Sequence, residues 1–353
     1  MRSGAKQVDY LIVGQGLAGS LLARALLARG RTVLVIDEEN PSAASRVAAG
    51  LVNPVTGRKL VKTWKADTLL PFARGFYRAR ETELGKTLYS EKTIWRFFQN
   101  ATEAKVWEVK RHDPAFAAYT SQLPDETMAG LDLHPQLGGF RVTRGAHVDT
   151  RELLRLFRVR LRESGALSEE AFVQADLRVE SNRVQWRDVS AKKILFCEGH
   201  AVSANPYFSW VPFRHAKGEL LTVRGPTFPE EVVLNRGKWL LPVGGDLFRA
   251  GATYGWDDLS ETPTAAGREA ILAGIRAIVP WTPEVIAHEA GVRPIVKDTR
   301  PIAGLHPAHP AVGIFNGLGS KGVLWGPYFA EQLVEHLENG GPLDPAVDVR
   351  RNL

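Results

Sequence analysis

The sequence contains very little cysteine, since Cys197 is the only one in 353 residues. A single thiol excludes an intramolecular disulfide framework and any CxxC motif for metal binding or dithiol exchange. This composition favours a reducing compartment, and the cytoplasm is the predicted location. The first residues, MRSGAKQVDY, lack the apolar stretch of a secretory signal, so we expect no signal peptide.

Long hydrophobic runs are also missing. The stretch from Tyr10 to Leu22 carries no charge, but Asp9 and Arg24 bound it closely and three glycines interrupt it. A transmembrane helix needs about 20 consecutive, predominantly apolar residues. We therefore expect no transmembrane segment in this sequence.

The sequence has no internal repeat and no low-complexity linker. Its hydrophobic content of 44% and charged content of 24% are typical of a globular protein. A length of 353 residues exceeds that of one typical domain, so we expect two structural units in one chain. Because no linker separates them, one unit should be inserted into the other.

The formal net charge is +6, and much of the excess lies in two basic stretches. We interpret them as solvated helix faces, although basic clusters are also typical of proteins that bind an anionic partner such as RNA. Nucleic acid is therefore the less favoured partner. The basic residues are Arg58, Lys59, Lys62, Lys65, Arg74, Arg78 and Arg80 in the first stretch, and Arg151, Arg155, Arg158, Arg160 and Arg162 in the second.

The first forty residues have the pattern of a βαβ unit. Residues 8–13 and 32–37 are apolar and predict two strands, whereas Leu17 to Arg29 is rich in Leu and Ala and predicts a helix. Strand, helix and strand over about 30 residues are typical of parallel strands joined by a right-handed crossover. The chain is therefore predicted to begin with a βαβ unit of the kind found in the parallel sheets of nucleotide-binding domains.

Between the first strand and the helix, Gly14-Gln15-Gly16-Leu17-Ala18-Gly19 has the pattern GxGxxG. In this context the first glycine permits a tight turn, the second lets the backbone approach a pyrophosphate, and the third lets the helix pack against the strand. The helix N-terminus stabilises the phosphates. Asp37, at the end of the second strand, is placed to accept hydrogen bonds from a ribose. The motif predicts a dinucleotide site without distinguishing NAD from FAD.

The rest of the sequence alternates between helical and strand patterns, and the predicted fold class is α/β. A Rossmann-like domain would carry an inserted domain built on an antiparallel sheet. The predicted helices cover 63–84, 264–278 and 321–338, with another starting at 149; predicted strands cover 193–197, 312–316, short segments of 86–140 and of 170–186, and four segments of 213–256.

Two further segments combine small residues with turns. Ser42 to Gly50 follows Asp37, and its small side chains would let the backbone run close to a ligand; an ordinary surface loop is the alternative. Asn316 to Gly322 lies between a predicted strand and a predicted helix. A second helix N-terminus there would stabilise a reduced, anionic flavin, and Lys321 would add a full charge, whereas the alternative is a capped surface helix.

Taken in order, these motifs resemble those of the D-amino-acid oxidase family of FAD-dependent oxidoreductases, which includes glycine oxidase and sarcosine oxidase. The turn GLGSKG is most similar to that in the oxidase domain of the bifunctional enzyme that modifies the tRNA wobble uridine. The matching segments are Gly14 to Gly19, Asp37, Ser45 to Gly50, Phe196 to Gly199, Gly291 to Pro294, Asp298 to Gly304 and Leu318 to Gly322.

The sequence also departs from the family pattern. Glu198-Gly199 stands where the family usually has Ala-Gly, and Lys321 replaces a commoner arginine. Members with covalent flavin use a cysteine near the C-terminus or a histidine near the flavin loop. Cys197 is at neither place, and Asn53-Pro54 follows the loop, so the resemblance implies FAD that is bound non-covalently.

The resemblance implies an FAD-binding domain of residues 1–80, 145–212 and 290–353, and a substrate domain of residues 81–144 and 213–289. The implied FAD-binding residues are Gly14, Gly16, Leu17, Ala18, Gly19, Asp37, Glu38, Ser45, Arg46, Ala49, Gly50, Val173, Glu198, Gly199, Arg293, Gly317, Leu318, Gly319, Ser320, Lys321 and Gly322.

The implied reaction is oxidation of the C–N bond of an amino acid or secondary amine, with hydride transfer to flavin N5. Arg293 and Tyr254 are the implied catalytic residues. Arg293 would bind the substrate carboxylate with its planar fork, unless it forms an ion pair with Asp298. Tyr254 would line the pocket, unless it packs in the core. His306 and His309 lack further ligands, so no metal is expected.

Two other functions remain open on the sequence. The first is oxidation of an amine carried on tRNA, which the GLGSKG turn and the basic stretches favour. Charge on a surface alone gives only non-specific binding to nucleic acid. The second is a non-catalytic FAD-binding module, whose flavin no amine would reduce.

Overall fold

The computed structural model describes residues 6–57, 59–123 and 132–353. Arg58 of the first basic stretch lies outside these residues. No helix in the described ranges is both long enough and apolar enough to cross a membrane. The fold is mixed α/β, with one largely parallel sheet and one largely antiparallel sheet.

The first sheet has eight strands and contains the N-terminal motif. They are β1 (Lys6–Val13), β2 (Val33–Ile36), β9 (Leu167–Ser168), β10 (Leu177–Val179), β11 (Val184–Trp186), β12 (Val189–Phe196), β18 (Ile302–Leu305) and β19 (Val312–Asn316). β1 lies between β12 and β2, and both run parallel to it. β9 is parallel to β2 and β19 is parallel to β12, whereas β10, β11 and β18 are attached by antiparallel pairing.

The second sheet has nine strands. They are β3 (Leu51–Val52), β6 (Tyr89–Phe97), β7 (Thr120–Gln122), β8 (Gly139–Val148), β13 (Ala216–Arg224), β14 (Val232–Arg236), β15 (Lys238–Gly244), β16 (Leu247–Gly251) and β17 (Glu284–Arg293). Their order is β17-β13-β16-β15-β14-β6-β8-β3, with β7 also on β8. Only β6 and β14 pair in parallel among the described strands of this sheet.

The helices cover the faces of both sheets, and a small separate hairpin joins β4 (Val55–Thr56) to β5 (Val61–Lys62). The helices are α1 (Leu17–Leu27), α2 (Ala44–Val47), α3 (Ala66–Leu84), α4 (Ala101–Lys110), α5 (Pro114–Ala117), α6 (Thr150–Glu163), α7 (Ala265–Arg276) and α8 (Gly322–Asn339).

The central strand β1 is apolar on both faces because both faces are covered. Tyr10 and Ile12 pack into one hydrophobic cluster with α1 and α8, whereas Leu11 and Val13 pack into a second cluster on the opposite face. This alternation follows from the period of two along a strand. The burial of consecutive apolar residues is typical of parallel strands with helices on both sides.

Several elements differ from the sequence prediction. The segment 86–140 was expected to hold only short strands, but it contains α4 and α5, and β6 runs unbroken from Tyr89 to Phe97. The helix α4 has no clear apolar stripe. It is fixed by Asn100, whose side chain accepts a hydrogen bond from the Glu103 amide at 3.0 Å, and by burial of the Glu103 carboxylate against Arg96.

The strand β17 was not predicted either, because polar and apolar residues are mixed along an edge strand. It pairs with β13 from Glu284 to Arg293, with one register shift. We propose the discontinuous division into two domains expected from the sequence. The first sheet takes strands from 6–36, 167–196 and 302–316, and the second from 51–52, 89–148 and 216–293.

Candidate functional site

A cavity of about 990 Å³ lies between the carboxyl edge of the first sheet and the second sheet. Gly14, Asp37, Glu198 and Asn316 line it at or just beyond the ends of β1, β2, β12 and β19. Ligands of open α/β sheets bind at this edge. The predicted site residues in its wall are Gly14, Gly16, Leu17, Ala18, Asp37, Glu38, Ser45, Ala49, Gly50, Glu198, Gly199, Tyr254, Arg293, Leu318, Gly319, Ser320 and Gly322.

The three glycines of the N-terminal turn differ in whether the fold requires a glycine at their position. A Cβ on Gly14 would lie 2.6 Å from the Cys197 carbonyl oxygen, and one on Gly19 would lie 1.8 Å from the Gly14 carbonyl oxygen. Packing within the protein therefore requires both glycines. A Cβ on Gly16 would approach only the Ser45 hydroxyl, at 3.2 Å, so the fold itself does not require this glycine.

The N-terminus of α1 opens onto the cavity. Gly16 provides no side-chain cap, and the first turn of α1 contains no acidic residue. The Leu17 amide donates to the Ser45 hydroxyl at 3.2 Å. Apart from the Leu17 amide, the first turn has no side-chain acceptor, so this glycine-lined helix N-terminus fits a phosphate group, because free amides and the helix dipole favour negative charge there.

The carboxylate of Asp37 is held by the protein on both oxygens. Oδ2 accepts from the Gln15 amide at 2.8 Å, and Oδ1 accepts from the Glu39 amide at 2.9 Å and from Arg158 at 2.7 Å. A carboxylate offers about four acceptor positions, so one position on Oδ2 stays available for a ribose hydroxyl. Arg158 was missed as a site residue, although it lies in the second basic stretch.

The C-terminal glycine turn brings a second helix N-terminus to the same cavity. Gly317 and Gly319 have φ values of 71° and 54°, which favour glycine. Asn316 donates to the Gly199 carbonyl at 2.9 Å and so ties the end of β19 to the segment after β12. The helix α8 has no side-chain cap and no acidic residue in its first turn. Two uncapped helix N-termini facing one cavity fit an anionic dinucleotide such as FAD.

Lys321 points away from this cavity. Its ammonium donates to the hydroxyls of Thr56 at 3.0 Å and Thr63 at 2.9 Å, so it joins the start of α8 to the hairpin of β4 and β5. It lines a smaller neighbouring cavity of about 480 Å³. Burial lowers the pKa of Lys321 to about 8, with repulsion from Arg300 contributing. The ammonium is therefore still largely charged at neutral pH.

Four other predicted FAD-binding residues also lie outside the wall of the large cavity. Gly19 and Gly317 shape the two turns, as their packing and backbone angles require. The guanidinium of Arg46 donates to the Gln15 side chain at 3.3 Å and pairs with Glu39 at 3.4 Å. The Val173 carbonyl accepts from Trp186 at 3.1 Å, while the wall is formed by residues 170–172 just before it.

Glu198 places a carboxyl group in the wall where small residues are usual. It follows β12, and its Oε2 accepts from the Asn205 amide group at 2.8 Å. Burial raises the pKa of Glu198 to about 7, and the hydrogen bond from Asn205 opposes this only in part. The group therefore changes its charge near neutral pH, next to the region that fits anionic phosphates.

Arg293 ends β17 and faces the cavity. Its Nη1 donates to the carbonyls of Lys217 at 3.2 Å and Thr253 at 3.3 Å, and its guanidinium carbon lies 4.7 Å from the centre of the Tyr254 ring. A Cβ on Gly218 would lie 1.9 Å from Nη2, so this glycine makes room for the guanidinium. No carboxylate of the described residues lies within 4.0 Å of Arg293.

The suggested ion pair between Arg293 and Asp298 is wrong. Asp298 pairs with Arg351 instead, at 2.8 Å. Tyr254 is not a core residue either, because 46% of its surface is exposed and it contacts Arg293 and Trp256. Both predicted catalytic residues therefore lie together at the cavity, with Arg293 free of any internal carboxylate in the described part of the chain.

The basic stretches are largely neutralised within the protein. In the first, ion pairs join Lys62 to Asp67 and Arg74 to Glu91. In the second, Arg151 pairs with Glu289, and Glu169 receives Arg158 and Arg162. These contacts agree with solvated, ion-paired helix faces. The described residues contain no group of three His, Cys, Asp or Glu side chains that could hold a metal.

The parallel sheet, the GxGxxG turn and the two helix N-termini at the cavity define the class of dinucleotide-binding α/β proteins. A family model described as "FAD dependent oxidoreductase" (DAO) matches residues 9–336, and the chain belongs to this family. FAD is therefore its cofactor, and the family is one of amine and amino-acid oxidase-like enzymes.

Curated relatives and solved structures are similar over nearly the whole chain. Glycine oxidase from Pseudomonas putida is 25% identical, over 97% of each chain. The tRNA 5-methylaminomethyl-2-thiouridine biosynthesis bifunctional protein MnmC from Aromatoleum aromaticum is 26% identical over 94% of this chain, which spans only 57% of that protein. The structure of glycine oxidase from Geobacillus kaustophilus has a TM-score of 0.82 at 21% identity, over 97% of each chain.

Proposed function

We propose that this enzyme oxidises the C–N bond of a small amino acid or secondary amine whose carboxylate binds Arg293. The observation that carries the proposal is the half-buried guanidinium of Arg293, which faces the FAD cavity without an internal carboxylate partner in the described residues. Nε and Nη2 are free to donate to an incoming carboxylate. Such charge-assisted, two-point contacts fix both the position and the orientation of a substrate.

The remaining wall supports positioning of the reacting carbon. Tyr254 covers one face of the guanidinium, and Gly218 leaves space for it on β13. When bound, FAD would supply the hydride acceptor for this oxidation. The substrate ammonium would first lose a proton to water. Loss of hydride from the α-carbon of the resulting neutral amine would leave an iminium ion, which water hydrolyses to a carbonyl compound and ammonium or an alkylammonium ion. Positioning supplies much of such a rate enhancement, so a protein base is not required.

The names of similar proteins support the same class of substrate. Glycine oxidases are among the relatives at the level of sequence, and an iminodiacetate oxidase from Chelativorans sp. BNC1 has a TM-score of 0.77 with this chain. Both names describe oxidation of small carboxylated amines. We propose non-covalent FAD, because Cys197 is buried and Asn53 follows the flavin loop.

Oxidation of an amine carried on tRNA is the second candidate, and the similarity to MnmC favours it. The ion pairs of the two basic stretches leave little unpaired charge for a phosphate backbone. If this candidate is correct, tRNA should shift on a gel with the protein, and the shift should weaken steeply with salt.

The proposed reaction is tested by anaerobic mixing with glycine, proline, N-methylglycine and N-(carboxymethyl)glycine. We expect a yellow protein whose flavin is released by acid precipitation and is bleached by at least one of these amines. Flavin that dithionite reduces but no amine or tRNA-linked amine reduces would indicate a non-catalytic FAD-binding module. Flavin retained in the acid precipitate would contradict non-covalent binding.

A further inference from the structure

The charged residues of the cavity wall are largely segregated by sheet. Asp37, Glu38, Glu170 and Glu198 all follow strands of the first sheet, and all are acidic. On the opposite side, strands of the second sheet contribute the cations Arg96, Arg236, Lys238 and Arg293. Glu261, in the loop before α7, is an exception, and its carboxylate accepts from the Asn40 side chain at 3.1 Å, in the segment that follows Asp37. The end of the cavity expected to receive the substrate is therefore positively charged.

These cations differ in their internal partners. Arg96 is neutralised by the buried carboxylate of Glu103. Arg236 donates to the Ala277 carbonyl at 2.9 Å, at the end of α7, where a cation stabilises the helix. Lys238 and Arg293 have only backbone carbonyls as acceptors among the described residues. Two cations at this end of the cavity thus have no carboxylate to balance them.

The heads of Lys238 and Arg293 lie close together. Lys238 donates to the carbonyl of Ala252 at 2.6 Å, and Arg293 donates to the carbonyl of Thr253, the next residue, at 3.3 Å. Burial lowers the pKa of Lys238, and repulsion from Arg293 contributes. An ammonium has three donors, so Lys238 keeps two for a ligand.

The protein makes room for each of the two side chains with a glycine. A Cβ on Gly274 of α7 would lie 2.2 Å from Cγ of Lys238, just as one on Gly218 would lie 1.9 Å from Arg293. The stem of Lys238 therefore runs across α7 before its head reaches the Ala252 carbonyl. This accommodation matches that of Arg293.

We propose that the substrate carries a second acidic group, a carboxylate bound by Lys238, a few bonds from the carboxylate bound by Arg293. This inference rests on the proposed function and narrows it to amines with two carboxylates. Bound in this way, the two anions would offset the repulsion between the two cations. A substrate with one carboxylate would leave Lys238 without an anionic partner.

The first test measures binding of unreactive acids, so that it does not depend on turnover. The holoenzyme is titrated with acetate, malonate and succinate, and binding is followed by the change in the flavin spectrum. We expect a diacid to bind at least about tenfold more tightly than acetate, because of the second charge-assisted contact. Lys238→Met should remove most of this difference, Lys238→Arg should restore part of it, and acetate binding should change by less than about threefold.

Lys105→Met is the matched control, because Lys105 is exposed on α4 and outside the cavity wall. FAD content is compared first, so that a misfolded variant is recognised. Equal affinity of the wild-type protein for acetate and for both diacids would overturn the proposal. So would an equal loss of monoacid and diacid binding in Lys238→Met with normal FAD content.

The second test compares N-methylglycine with N-(carboxymethyl)glycine as reductants of the flavin. We expect the diacid to bleach the flavin at a lower concentration, and Lys238→Met to remove that preference. Bleaching by N-methylglycine alone would support the proposed function and overturn this inference. Tight diacid binding with no bleaching by any amine would leave the inference standing and contradict the proposed function.

Discussion

At the scale of single residues, the guanidinium of Arg293 has its donors divided between the protein and the cavity. Nη1 is held by the carbonyls of Lys217 and Thr253, while Nε and Nη2 have no protein acceptor among the described residues. A lysine at this position would retain the charge. Its ammonium would be drawn towards the two carbonyls and would lack the planar fork.

We therefore expect Arg293→Lys to raise KM for a reducing amine by about tenfold or more, as expected for a lost charge-assisted contact. FAD content should stay at the wild-type level. Arg351→Lys is the control, because Arg351 pairs with Asp298 outside the cavity wall. Anaerobic bleaching rates over a range of amine concentrations measure the effect. Unchanged saturation in Arg293→Lys would assign the arginine a structural role only.

Glu198 predicts a pH dependence of FAD binding. Its folded pKa, raised from 4.5 to about 7, means that the folded apoprotein favours the protonated group. The stabilising effect of that protonation is complete below the ordinary carboxyl pKa and is lost as the pH rises through about 7. Above that pH an ionised Glu198 would also repel the phosphates of FAD.

We expect the FAD affinity of the apoprotein to fall about tenfold between pH 6 and pH 8, as follows if only the protonated form binds. Glu198→Gln keeps an acceptor for Asn205 but cannot ionise, so its affinity should vary little over this range. Quenching of flavin fluorescence measures both proteins. A wild-type affinity that does not change with pH would mean that Glu198 does not approach the dinucleotide.

At the scale of elements, the N-terminal turn contains one glycine that folding requires, Gly19, and one that we expect only the ligand to require, Gly16. Gly19→Ala would force a Cβ to within 1.8 Å of the Gly14 carbonyl oxygen, so α1 could not pack on β1. Gly16→Ala meets only the Ser45 hydroxyl at 3.2 Å, and its φ of −69° suits alanine.

We therefore expect Gly16→Ala to fold with a near-normal melting temperature but to bind FAD at least about tenfold more weakly, because its methyl group enters the pyrophosphate position. Gly19→Ala should instead lower the melting temperature of the apoprotein. Gly75→Ala in α3, where nothing lies within 4 Å, is the control for both. Normal FAD binding by Gly16→Ala would show that the turn is not the phosphate site.

The join between α8 and the hairpin of β4 and β5 gives a second expectation at this scale. The Lys321 ammonium lies behind the glycine turn, bound to Thr56 and Thr63, and is largely charged at neutral pH. A cation at this depth still favours an anionic reduced flavin. Lys321→Met should make the flavin midpoint potential more negative, by on the order of 30 mV for about 1.4 kcal/mol in a two-electron couple.

Dye-linked reduction at equilibrium measures this shift, and Lys59→Met is the control, because Lys59 is an exposed lysine in the turn of the same hairpin and lines neither cavity. Equal potentials in the wild-type protein and Lys321→Met would limit the lysine to holding the hairpin. A lower melting temperature without a change in potential would support that structural role.

At the scale of the whole molecule, the sequence predicts well those parts that local rules determine. The βαβ start, the glycine turns and the helix after residue 149 follow from the spacing of apolar residues and the positions of glycine and proline. They lie at nearly the predicted positions. Arg158, Lys238 and the strand β17 could not be found in this way. Their roles depend on which elements become neighbours in the fold, as where Arg158 of α6 meets Asp37 after β2 or where β17 pairs with β13, and no local pattern records that.

The rate at which the sole cysteine of this chain reacts with a thiol reagent measures how often the nucleotide-binding turn opens. Cys197 is buried, with its backbone oxygen beside Gly14 and its Cβ beside Gly19, and burial raises the pKa of its thiol. Cys197 also lines the cavity, but only 5% of it is exposed, so a thiol reagent needs a local opening of this region to reach the sulfur. Because the sequence has no other thiol, the labelling rate measures how often that opening occurs. FAD should lower the labelling rate of Cys197 in proportion to its occupancy of the site. A labelling rate that does not change with FAD would mean that the opening takes place away from the FAD site.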